Sequence, residues 1–161
     1  MRTMLGVAVL GLALPAAAVE IDGRIDPQEW AGAQHVDDFR LTQPLSRGPA
    51  PQPTEAWILS TPEGLAIAFR SAQPAGVTRT RQRSQRDEMG PVDRVNLMVD
   101  YDGDGRTGYN FTISLGAGIS DEVITNENNF NDDWDGNWQY AVSEDDNGWS
   151  AEMLIPWHIA P

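Results

Sequence analysis

The chain contains no cysteine and no lysine. The first absence excludes a disulfide scaffold and all thiolate chemistry. The second leaves arginine as the only strong base, 11 residues against 24 acids, for a net charge of −13 over 161 residues. Beyond Arg106 there is no further arginine, yet ten acids follow. Nucleic acids and anionic membrane surfaces are held through cationic groups, so a field of this sign repels both. It suits neutral ligands or cations. No stretch approaches the roughly 20 apolar residues that a membrane-spanning helix needs. No extended 3.6-residue periodicity is present, and there is no nucleophile elbow, zinc-binding helix or phosphate loop. The spacing of methionines and histidines gives no support to haem ligation.

What is present begins with a leader. Arg2, the apolar residues 4–14 and Ala16-Ala17-Ala18 follow in the order of a secretory signal, with small side chains where the peptidase requires them. The expected products are a leader over residues 1–18 and an exported domain over residues 19–161, long enough for one core.

That domain reads as all-β. Residues 54–60 (TEAWILS) and 65–71 (LAIAFRS) alternate on either side of Thr61-Pro62-Glu63-Gly64, a hairpin signal that puts Leu65, Ile67 and Phe69 on one face. Residues 94–100 do the same with Val95, Leu97 and Val99, and residues 109–115 with Tyr109, Phe111, Ile113 and Leu115. Trp149, Ala151, Met153 and Ile155 mark a last strand. Short strands broken by turns every ~8–12 residues predict an antiparallel β-sandwich, immunoglobulin- or jelly-roll-like. One helical turn is expected at residues 26–31, with Asp26 as N-cap and Pro27 behind it. Residues 43–53, with four prolines, read as an extended surface loop. The alternating Arg79, Arg81, Arg83 and Arg86 are expected on one face of an edge strand, where they block edge pairing. There they would join Asp87, Glu88 and Asp93 in ion pairs.

Two loops carry candidate chemistry. In Asp100-Tyr101-Asp102-Gly103-Asp104-Gly105 the carboxylates of Asp100, Asp102 and Asp104 have the spacing of half a calcium loop. The position where a helix-loop-helix site needs Glu is Phe111. The same residues also describe a polar hairpin turn with Asp-Gly supplying positive φ. The second loop, residues 126–139 (NENNFNDDWDGNWQ), sets Trp134 and Trp138 among Asp132, Asp135 and Asn137. Indole faces flanked by hydrogen-bonding groups are what a sugar site requires, and also what a capped surface loop contains. The other tryptophans, Trp30, Trp57, Trp149 and Trp157, are assigned to packing.

Ile21-Asp22-Gly23-Arg24-Ile25-Asp26 ending at Trp30 fits I-D-G-x-[IL]-D-x-x-x-W, and Gly148-Trp149 through Glu152 to Ile155-Pro156-Trp157 fits G-[WY]-x-x-E-x-x-I-P-[WF]. Between them stand Arg86-Asp87, Asp93 and Thr107-Gly108-Tyr109. Together these resemble carbohydrate-binding module family 9-like domains across nearly all of residues 19–161. The resemblance implies a non-catalytic sandwich that recognises a neutral oligo- or polysaccharide, with structural calcium in several members. It also implies a place at the N-terminus of a larger exported protein of the periplasm or outer membrane, with a barrel-like C-terminal region. Family members continue beyond the I-P-[WF] strand, so the sandwich is expected to be incomplete and to pack on its own C-terminal region beyond residue 161. The family's sugar-clamping tryptophan ahead of the D-x-V strand has no counterpart in Met89-Gly90-Pro91-Val92. Two other readings stay open: a structural or docking domain of a barrel protein without a sugar ligand, and part of a glycoside hydrolase. Carboxylate pairs for hydrolysis are available, but the sequence singles none out.

Overall fold

The computed structural model describes residues 18–126 and 128–159; the expected leader lies outside them except for Ala18. Nine strands follow in order: β1 Gln34–Val36, β2 Thr54–Ser60, β3 Gly64–Ala72, β4 Arg94–Val99, β5 Thr107–Ser114, β6 Ile119–Thr125, β7 Asn129–Asn131, β8 Gln139–Asp145 and β9 Gly148–Pro156, then a 3-10 turn Trp157–Ile159. They form two antiparallel sheets, β1-β2-β3-β9-β8 and β4-β5-β6-β7, consistent with a β-sandwich.

The alternating faces account for the packing. Ile67 and Phe69 of β3 and Trp149, Ala151, Met153 and Ile155 of β9 meet Val95, Tyr109, Phe111 and Ile113 of the other sheet in one core. Removing such side chains from water supplies the main drive to fold, about 25 cal/mol per Å². The hairpin at Thr61 forms as expected: Gly64 N–H donates to Thr61 Oγ1 at 3.1 Å, and Thr61 N–H to the Gly64 carbonyl at 2.9 Å. The turn at residues 26–31 closes by Trp30 N–H on the Asp26 carbonyl (3.1 Å), while Asp26 Oδ1 accepts from Gln28 N–H at 2.7 Å.

Period two sends the alternate residues of β3 and β9 to the opposite side of their sheet. There the strap formed by residues 19–33 lies across them, and Trp30, Ala66, Ala68 and Leu154 make a second apolar cluster with Val19, Ile21 and Ile25 beside it. The arginine segment corrects the sequence reading, because residues 79–86 form no strand. Three of the four charges still find partners, Arg86 among them with Asp87 at 3.9 Å. Arg79 and Arg81 reach Glu144 at 3.2 and 2.8 Å, and Arg86 reaches Asp121. Asp93 instead accepts from Thr80 N–H at 2.8 Å.

Candidate functional site

The two end motifs meet at one residue. Glu152 projects from β9 under the strap and is fully buried. One of its oxygens accepts from Asp22 N–H (3.1 Å) and Gly23 N–H (2.8 Å), the other from Trp30 Nε1 (3.0 Å). Ser150 and Ser143 hydroxyls donate to the Gly23 carbonyl at 2.6 and 2.7 Å. Gly23 has φ +85°, and a Cβ there would stand 2.6 Å from the Val142 carbonyl carbon, so only glycine fits. Burial pushes the Glu152 carboxyl up, against the pull of its three donors. Both of its oxygens are engaged in holding the strap, which makes it a structural lock.

The loop between β7 and β8 is built differently from the sequence expectation. Trp138 is only 7% exposed and belongs to the main core. Its ring meets Phe111 edge-on at 5.5 Å and Tyr140 at 5.2 Å. Trp134 is half-buried against that core, 5.2 Å from Tyr109 and 6.2 Å from Phe111. The indoles fill the mouth of the sandwich, so the open platform expected of them is absent. Asp132 and Asn137 remain exposed, and Asp135 pairs with Arg86 Nε at 2.6 Å.

What fastens this loop is Asp121, a fully buried carboxylate on β6. It accepts from Arg86 Nη2 (2.5 and 2.7 Å), Arg86 Nε (2.9 Å) and Gly136 N–H (2.5 Å), while Arg86 Nη2 also donates to the Gly136 carbonyl at 2.9 Å. Burial raises the Asp121 carboxyl, and the Gly136 N–H and the guanidinium hold it down. Asp87, Asp121 and Asp135 bring oxygens within 4.8 Å of one another, but the guanidinium of Arg86 already supplies their positive charge.

Asp100, Asp102 and Asp104 are not that converging group. Asp100 Oδ1 accepts from Asp102 and Gly103 N–H at 3.2 and 2.8 Å, and Oδ2 from Gly105 N–H at 2.8 Å. Asp104 Oδ1 accepts from Arg106 N–H at 2.9 Å. The loop is a carboxylate-capped turn, and the Gly105 N–H foremost holds the Asp100 carboxyl below its usual range.

The outer face of the second sheet carries a polar ladder whose middle members, Asn110 and Thr112, are buried at 6% and 4% exposure, while Asn96 at its rim is exposed. Because Tyr109, Phe111 and Ile113 enter the core, Gly108, Asn110 and Thr112 face outward beside Asn96 and Met98 of β4 and Glu122 and Ile124 of β6. Asn96 Nδ2 donates to Thr112 Oγ1 (2.6 Å) and Asn110 Oδ1 (3.1 Å), and Asn110 Nδ2 donates to Glu122 Oε2 (2.9 Å). Asn96 Oδ1 and Glu122 Oε1 have no partner among the described residues. At the end of this ladder lies a hollow of about 210 Å³, floored by Gly108 and walled by Met98, Ile124 and Arg106. Phe130 on β7, opposite Ile124, is 51% exposed, and Met98 63%. The sequence reading missed this ladder because its members are spread over three strands; period-two alternation outward from Tyr109 was the available signal.

The chain matches no family model, no curated protein and no solved structure, so the family 9-like resemblance rests on its motif residues alone.

Proposed function

We propose that this domain is a non-catalytic module recognising a neutral glycan, and that the outer face of β4, β5 and β6 is its binding surface. The observation that carries the reading is the Asn96–Asn110–Glu122 ladder beside the Gly108 hollow. Sugar hydroxyls both donate and accept, and side-chain amides with a carboxylate answer both needs. The ladder fixes its own members before a ligand arrives, so less ordering remains to be done on binding. Met98, Ile124 and Phe130 offer apolar contact to ring C–H groups. The acidic surface disfavours polyanionic partners, and the end motifs and Thr107-Gly108-Tyr109 supply the resemblance to family 9-like modules. Export to the periplasm or outer membrane, within a larger protein, belongs to the same reading.

Gly108→Val tests it. A Cβ at this position meets only Val99 O at 3.6 Å and Ile124 Cβ at 3.9 Å, ordinary contact, and a β-branched residue suits a strand. The variant is expected to melt at or above the wild-type temperature and to lose at least about tenfold in affinity, some 1.4 kcal/mol, in gels containing neutral polysaccharides. Wild-type retention of the folded variant would remove the glycan site from this face. A wild type retarded by no neutral polysaccharide would favour the docking-domain reading.

A further inference from the structure

The opposite sheet carries a second cleft that the glycan face does not account for. The strap covers Ala66, Ala68 and Leu154 but stops short of Trp57 on β2, which stays half-buried. Its ring stacks on His35 at 5.0 Å and 28°, and His35 in turn meets Glu55 at 2.8 Å. A cleft of about 420 Å³ that does not include His35 opens between Trp57 and Ile25, Pro27 and Trp30, with Arg70 at its edge. That volume is within the ~300–1,000 Å³ of small-molecule sites. A polar pocket of about 250 Å³ adjoins it, sharing Ile25 and Arg70 and adding Arg24, Ser143 and Asp145.

The polar half has unused capacity. Arg70 commits Nη2 to both oxygens of Asp145, at 2.7 and 2.8 Å. Its Nε and Nη1, and the whole Arg24 guanidinium, have no partner among the described residues. Of the two arginines that line the cleft, Arg70 is paired with Asp145. An exposed Arg–carboxylate pair presents a donor and an acceptor side by side, the complement of two neighbouring hydroxyls. An indole wall beside it complements a flat C–H face, which a ring with all substituents equatorial presents.

We propose that this cleft binds one neutral, gluco-configured pyranose, with its ring against Trp57 and adjacent hydroxyls shared between Arg70 and Asp145, as a sugar subsite separate from the β4–β6 face. It rests on the glycan reading for ligand class but not for location. Subsites on opposite sheets make the domain bivalent, able to hold two chains of a polysaccharide and to gain avidity on an insoluble one.

The test is a titration of the ¹⁵N-labelled full chain with methyl β-D-glucopyranoside, followed by NMR. Saturable shifts are expected at the Trp57 indole N–H and at the Arg70 and Asp145 amides. Arg70→Gln and Asp145→Asn, which both keep a polar side chain, should each weaken that binding by about tenfold or more, and Gly108→Val should leave it unchanged. Absence of shifts at Trp57, or shifts that persist undiminished in both variants, would overturn the proposal. Shifts confined to Asn96 and Asn110 would support the β4–β6 face and eliminate this cleft; shifts confined to Trp57 and its neighbours would do the reverse.

Discussion

Glu152→Ala should release the strap. The carboxylate satisfies three donors at 2.8–3.1 Å in a site with no solvent exposure. Each buried donor left unmet costs about 1–3 kcal/mol, so three kept dry would cost ~3–9 kcal/mol. The strap has a cheaper escape: it can lift and let water reach the donors, exposing Trp30 and its apolar neighbours instead. The expected loss is therefore about 3–5 kcal/mol, the range for breaking a buried charged network. At ~3 °C per kcal/mol for a domain of this size, the melting temperature falls by about 10 °C or more. Urea melts followed by tryptophan fluorescence give the magnitude, and amide exchange over residues 19–33 shows whether the strap has come free. Glu152→Gln keeps the shape and one good acceptor, so it should fall between. Acidity adds a further check. Burial raises the folded carboxyl above its unfolded value, so its titration favours the fold below the ordinary glutamate range, and that contribution is lost as pH rises through the folded value. The wild type's advantage over Glu152→Gln should thus be larger in acid than at neutral pH. A Glu152→Ala protein within about 1 kcal/mol of wild type, with residues 19–33 still protected, would refute the lock.

Trp138→Ala should cost about 3–5 kcal/mol in urea melts, as emptying a core aromatic site does, while Trp157→Ala, at an indole 44% exposed, should stay within about 0.5 kcal/mol; equal effects would contradict the packing at the loop. Asp100→Ala should lower the melting temperature to the same extent with calcium or with chelator present, because backbone N–H groups already occupy its oxygens. Its carboxyl is held low, so the wild-type benefit is present above the ordinary aspartate range and fades as pH falls through the folded value; a loss seen only with calcium would make the loop a metal site.

Strands whose alternation separates apolar from polar residues were legible in the sequence. β2, β3, β4, β5 and β9 lie within two residues of the expected segments, with most of the expected side chains in the core; Leu65 and Leu97 pack at its margin and Val99 lies outside it. β6 (ISDEVIT) was not read, because its inward-facing middle residue is Asp121 and an acid breaks an apolar pattern. Its burial depends on Arg86, 35 positions earlier, a pairing no local window contains. β8 (QYAVSED) was missed likewise: it is an edge strand, half-exposed, and its Glu144 is held by arginines from residues 79–81. The tryptophan-rich loop misled for the complementary reason. Acids and asparagines around Trp134 and Trp138 suggested exposure, but Trp138 turns into the core and Trp134 is half-buried against it, while those polar neighbours stay outside.

The position of β9 governs when this protein can fold. In its sheet β9 lies between β3 and β8, so neither neighbour has its full set of backbone partners until β9 exists. The strap, near the start of the chain, docks on a carboxylate about 130 residues later. A chain emerging N-terminus first can form the β2–β3 hairpin early, but it cannot seat the strap until Glu152 arrives. Such pairings between distant segments slow folding, since loop closure comes before the contacts that repay it. Until β9 is made, Trp30 lacks both its Glu152 acceptor and its Leu154 contact, so the strap stays open to water.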